Sequence, residues 1–171
     1  MELLNDFNTS VRKAFDEIDP NWESYDGLVI CGTHAPVGWE AQIEKLKDAR
    51  LNGRATLGIC FGLQLMAIEY ARNILGKEKA TSEELEEEGD FVVRKLPELR
   101  VGLHNGESYW NNYGLLPGLE YTMSRDIFSS KPFYEGVQYH PEYQSSKENP
   151  HIILKTFLEI CKTGNVDGRQ A

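Results

Sequence analysis

The stretch Ala55–Gly76 constrains the fold more than any other part of the chain. Ala55-Thr56-Leu57-Gly58-Ile59 is short and apolar, the pattern of a strand buried on both faces. From Phe61 to Leu75 the apolar pattern becomes helical, and Gly76 closes it. Cys60 stands between the two. A strand that passes directly into a helix needs a tight corner, and small residues two positions either side relieve its crowding. Gly58 and Gly62 occupy those positions. Such a corner pushes the cysteine outward, and the helix N-terminus behind it favours thiolate.

The same alternation runs upstream. Met1–Asn5 reads as a short strand and Thr9–Ile18 as a helix with Val11, Phe15 and Ile18 inward, stopped at Asp19-Pro20-Asn21. Tyr25–Cys31 reads as a second buried strand, and Glu40–Leu51 as a helix with Ile43, Leu46 and Leu51 inward. Alternating strands and helices predict right-handed crossovers and a parallel sheet covered on both sides. Downstream, Phe91–Arg94, Arg100–Leu103, Leu119–Met123 and Phe133–Gln138 read as shorter strands. Pro150–Lys162 reads as a closing helix and 163–171 as a frayed, flexible tail. The 171 residues are read as one domain, 1–171.

Charge and cysteine content narrow the function. A net charge of −9 argues against unaided nucleic-acid binding, which needs a basic footprint. No apolar run approaches the roughly 20 residues of a membrane span, and no secretory pattern opens the chain. The expected setting is therefore the cytoplasm, without a membrane partner. The three cysteines, Cys31, Cys60 and Cys161, show no paired spacing for disulfides. No Cys-x-x-Cys or His-x-x-x-His pair suggests a metal, and no cofactor is expected. The acidic run from Glu83 to Asp90 reads mainly as a solvated face.

Tyr139-His140-Pro141-Glu142 supplies what Cys60 lacks. Residues two apart on an extended segment face the same way, and Pro141 keeps the segment extended. Glu142 is then placed to orient one imidazole nitrogen and leave the other for Cys60. A thiol nucleophile, a base and an acid to orient it are the parts of an acyl-transfer site. The backbone N–H of Phe61 points where an oxyanion would form.

Leu57-Gly58-Ile59-Cys60-Phe61-Gly62-Leu63-Gln64 and Gly136-Val137-Gln138-Tyr139-His140-Pro141-Glu142-Tyr143 resemble the class I (triad) glutamine amidotransferases. Ala71–Gly76 followed by Ala80–Glu84 resembles, more narrowly, the glutaminase domain of CTP synthases. The resemblance covers Tyr25–Glu84 and Phe133–Cys161. It implies a flavodoxin-like three-layer α/β sandwich that hydrolyses L-glutamine to glutamate and ammonia. It implies Cys60 as nucleophile, His140 as proton carrier and Glu142 as its orienter. Gln64 and Glu84 match substrate-binding positions, Glu84 the one that holds the α-amino group.

Three departures accompany the resemblance. Cys31-Gly32-Thr33 stands where the family writes Pro-Gly-Gly. The Gly32–Thr33 backbone is expected to give the second oxyanion N–H, but β-branched Thr33 resists the positive φ that glycine accepts. Either the loop takes another shape or the hole forms only with a partner. The family's arginine-bearing segment corresponds to Arg100–Asn105, with Arg100 or His104 as a substrate contact. Only Asp19–Ser24 separates the first helix from the next strand, so the sheet is expected to be one strand smaller than the family's. The chain has no Gly-x-x-x-x-Gly-Lys-Ser/Thr word. The reading is a glutaminase that passes ammonia to a separate synthase subunit. Its rivals are a stand-alone γ-glutamyl amide or peptide hydrolase and a catalytically silent regulatory module.

Overall fold

The computed structural model describes the backbone of residues 1–129 and 132–170, with side chains through 163. Strands β1 (Glu2–Leu4), β2 (Leu28–Ile30), β3 (Thr56–Ile59) and β7 (Tyr134–Val137) form one sheet in the order β1-β2-β3-β7, every pairing parallel. The burial that the apolar runs require is complete in β2 and β3, whose residues are all buried. Period-two alternation sends Leu28 and Ile30 to one face and Val29 and Cys31 to the other. On the first face lie α2 (Trp39–Asn52), α3 (Phe61–Asn73) and α4 (Leu119–Asp126). On the second lie α1 (Asn8–Ile18) and α5 (Ile152–Gln170). This is the three-layer α/β sandwich that the sequence implied.

The crossovers depart from expectation. From β1 to β2 and from β2 to β3 the chain steps the same way across the sheet, but α1 and α2 cover opposite faces. The two connections therefore have opposite hands, against the uniform right-handed rule. The short route explains it. Trp22–Ser24 forms one 3₁₀ turn between α1 and β2, and no strand lies between them. Without an additional strand there, α1 returns directly to β2 from the second face.

A smaller sheet of order β4-β5-β6 joins β4 (Ala80–Ser82), β5 (Asp90–His104) and β6 (Glu107–Leu115). The separate strands expected at Phe91–Arg94 and Arg100–Leu103 are one strand with a register irregularity between Lys95 and Arg100, where Pro97 removes a ladder donor. Asn105 and Gly106 close the β5–β6 hairpin, both with positive φ, as a two-residue turn between right-twisted strands requires. Leu119–Met123 is helix, not strand. Met123 is buried and Tyr121 is 72% exposed, so the apolar alternation does not mark one strand face. Helix α5 also takes in 163–170, which the sequence reading left as a tail; Ala171 lies outside the described residues. Among the described residues no helix is long and apolar enough to cross a membrane.

Candidate active site

β3 and β7 pair in register up to Ile59 and Val137, so their carboxyl ends lie side by side. The first residue beyond β3 is Cys60, and its N–H donates to the Val137 carbonyl at 2.8 Å. Sheet pairing thus brings together residues 77 positions apart in the chain. Ligands of parallel α/β sheets bind beyond this edge.

The corner at Cys60 is strained. Its φ of 55° and ψ of −101° lie outside the regions open to ordinary residues, at a cost of about 1–3 kcal/mol. Both flanking glycines are required by contact. A Cβ on Gly62 would run into the Ile30 carbonyl oxygen, and one on Gly58 would sit 2.8 Å from the Gly62 carbonyl carbon. Phe61 is the first residue of α3, so its N–H has no partner within the helix and is free to serve an anion.

His140 is fully buried. Its backbone N–H donates to the Ser108 carbonyl at 2.7 Å, and its ring stacks on Tyr143 with centroids 4.7 Å apart. Nδ1 lies 2.6 Å from Oε1 of Glu142. The segment is not extended as expected. Pro141–Tyr143 is a 3₁₀ turn, with Pro141 at its first position, where the ring's fixed φ suits a helical start. The turn, rather than strand alternation, folds Glu142 back onto the ring. Burial opposes charge on the imidazole. Interaction with Cys60 and the hydrogen bond and negative charge of Glu142 outweigh it, raising its pKa to about 10. The ring's other nitrogen, Nε2, is buried with no hydrogen-bond partner among the described residues. Cys60 is near enough to act on the charge of the ring, but no hydrogen bond joins its sulfur to Nε2. The thiol instead faces the Trp110 carbonyl at 3.8 Å and receives the Gln138 side-chain N–H at 3.4 Å. Cysteine and histidine are thus juxtaposed, with the loose geometry usual before substrate arrives.

A cavity of about 160 Å³ opens over the sulfur, lined by Thr33, Cys60, Phe61, Gln64, Glu84 and Trp110 among others. Thr33 lies on its wall, and neither it nor Gly32 is among the described residues with positive φ. The conflict foreseen for a β-branched residue is avoided because the loop takes another shape. Asp6 accepts the His34 N–H at 3.3 Å and hydrogen-bonds the Thr33 side chain, and the Thr33 hydroxyl accepts the Ala35 N–H at 3.0 Å. Gly32 lies against His140, since a Cβ there would stand 3.1 Å from Cε1 of the ring.

Gln64 is 3% exposed and donates to the Tyr113 carbonyl at 3.1 Å. Glu84 is half-buried, and burial raises its pKa. Arg100 and His104 are a correction. They do not line this cavity but flank another on the β5–β6 hairpin. Arg100 lies over the Tyr109 ring at 4.5 Å, and His104 is tied to the Val101 carbonyl at 3.1 Å. The hairpin reaches the site through Leu99, Trp110 and Asn111–Tyr113 instead. Sequence reasoning missed Trp110, whose carbonyl faces the sulfur, and Gln138. The signal for Gln138 was its place two residues before His140. Among the described residues no cluster of His, Cys, Asp and Glu is placed to hold a metal ion.

Fold and site together define an α/β protein with a strained cysteine elbow at the sheet's carboxyl edge, beside a buried His–Glu pair. The chain belongs to the class-I glutamine amidotransferase family, whose model matches residues 5–160. It is 30% identical to CTP synthase of Thermotoga maritima over 94% of this chain and 39% of that protein. It is 33% identical to CTP synthase of Clostridium perfringens over 98% of this chain and 32% of that one. The chain thus spans well under half the length of these relatives. Its fold matches the glutaminase domain of Trypanosoma brucei CTPS, solved with bound acivicin, at a TM-score of 0.76 and 17% identity, over 95% of this chain and 94% of that one. A putative GMP synthase subunit from Thermoplasma acidophilum matches at 0.52 and 16% identity, over 99% and 98%.

Proposed function

We propose that this protein hydrolyses L-glutamine to glutamate and ammonia through a thioester on Cys60, and that a separate synthase subunit consumes the ammonia. The observation that carries the reading is the strained thiol set beside a buried imidazole whose other nitrogen is held by Glu142. Family membership supplies the substrate class. With the thiol proton held on His140, the sulfur attacks the side-chain carbonyl as a thiolate paired with the imidazolium. The N–H of Phe61, with the Gly32–Thr33 backbone opposite, receives the negative charge of the tetrahedral intermediate. His140 then protonates the departing nitrogen, and ammonia leaves. Water attacks the thioester with His140 as base, releasing glutamate and restoring the thiol. Gln64 and Glu84 hold the substrate, Glu84 giving the α-ammonium a countercharge in a half-dry site.

The cavity is small beside the roughly 300–1,000 Å³ of sites for larger ligands, which favours a free amino acid over a γ-glutamyl peptide. Leu99, Val101, Leu103 and Trp110 are large and exposed on the β5–β6 hairpin, and Leu99 and Trp110 also line the cavity. An apolar patch of this kind is where the synthase would dock. Treatment with acivicin, followed by peptide mass analysis, tests the catalytic reading. An adduct on Cys60 that glutamine protects against is the expected result. Absence of an adduct, with a synthase partner present, would favour the silent module.

A further inference from the structure

Among the described residues, Gln138 donates a side-chain hydrogen bond to the sulfur of Cys60, and its direction is fixed by a chain of contacts that starts at a backbone carbonyl. We propose that Gln138 holds the Cys60 sulfur in its anionic, nucleophilic form. The proposal rests on the reading of Cys60 as nucleophile.

Gln138 follows β7 directly and is 7% exposed. Its Nε2 donates to the sulfur at 3.4 Å. A carboxamide can sit either way round, so its orientation must be argued from its neighbours. The Tyr113 carbonyl can only accept. Nε2 of Gln64 donates to it at 3.1 Å, which fixes the Gln64 amide. The same nitrogen also faces Oε1 of Gln138 at 3.5 Å. With its oxygen committed to Gln64, Gln138 presents its N–H₂ to the sulfur. Turning Gln138 round would set two N–H₂ groups against each other and place its oxygen on the sulfur. Asn111 also donates to the Tyr113 carbonyl, at 2.8 Å, and steadies the start of the chain.

This donor discriminates between the two states of sulfur. A thiol is a weak acceptor and a thiolate a strong one, so the bond strengthens as the proton leaves. The S–H bond breaks and an N–H bond forms at Nε2 of His140, which is buried with no hydrogen-bond partner among the described residues. Sulfur gains the negative charge and the ring the positive one. A bond that favours thiolate raises the reactive fraction fully but lowers intrinsic nucleophilicity by only about half as much on a logarithmic scale. The net effect near neutral pH is faster attack.

The test uses Gln138→Glu, which keeps the shape and replaces the donor with an anion, and Gln138→Met, which keeps the length and removes both polar atoms. Iodoacetamide labelling of Cys60 is followed by peptide mass at pH 7 and pH 10. Labelling at pH 7 is expected to slow about tenfold in both variants, shrinking to within about threefold at pH 10. Glutamine turnover is expected to lose kcat with KM within about threefold. Equal slowing at both pH values in either folded variant, or no slowing, overturns the proposal. Cys31 and Cys161 are buried and report on folding, because they label only if the chain opens. Labelling needs no glutamine. A pH-dependent loss in the variants of a protein that never hydrolyses glutamine would therefore refute the glutaminase and leave the role of Gln138 standing.

Discussion

Nδ1 of His140 lies 2.6 Å from Oε1 of Glu142, and both side chains are fully buried. Burial shields this bond from solvent, and the other carboxylate oxygen has no hydrogen-bond partner among the described residues. The pair therefore acts as a unit that fixes both the tautomer and the tilt of the ring.

Replacing Glu142 by Gln should keep the shape and lose the charge. The carboxamide can present its N–H₂ to the ring and impose the wrong tautomer, leaving Nε2 unable to take the thiol proton. A loss of about 10²–10⁴-fold in kcat is expected, with little change in KM. Steady-state glutamate release measures both.

The same pair ties stability to pH. The folded imidazole has its pKa raised to about 10 by Cys60 and Glu142, against the opposing effect of burial. A raised value means that the folded state binds the proton more tightly than the unfolded chain. Its stabilisation is complete below about pH 6.5 and is lost as pH rises towards 10. The melting temperature of the parent should therefore fall across this window more steeply than that of Glu142→Gln. Parallel curves in calorimetry would contradict the ion-pair account.

Gly62→Ala should damage folding rather than chemistry alone. The added methyl meets the Ile30 carbonyl, which belongs to a central strand and has nowhere to go. A destabilisation of about 3 kcal/mol, or roughly 6–12 °C in Tm, is expected. Gly38→Ala is the control. Its Cβ meets nothing, so only its positive φ resists, and a smaller loss of about 1 kcal/mol follows.

Substrate contacts divide by position. Glu84→Gln should raise KM for glutamine about 10–100-fold, because it removes the countercharge on the cavity wall. Arg100→Ala, on the far side of the hairpin, should leave kcat and KM within about twofold. Kinetics of the purified variants distinguish the two. A large KM effect at Arg100 would restore the role that sequence reasoning gave it.

The sequence made the elbow legible because its requirements are local: an apolar run, two glycines and a helix. It made the His140–Glu142 pairing legible for the wrong reason, since a 3₁₀ turn and not an extended segment brings them together. The crossover hands were not legible, because they depend on which face α1 packs against. The Asn105-Gly106 dipeptide is a local hairpin signal, and the turn it makes sets β6 and with it one wall of the site. Gln138 is harder. Its role depends on Gln64 and Tyr113, which reach it through separate elements, and no spacing rule encodes that.

The central claim is that glutamine is opened by the sulfur of Cys60. Acid quenching during turnover, followed by mass analysis of the peptide carrying residue 60, measures this directly. A glutamyl mass on that peptide, absent in Cys60→Ala together with glutamate release, is the predicted result. Glutamate release by Cys60→Ala at the parent rate would contradict it.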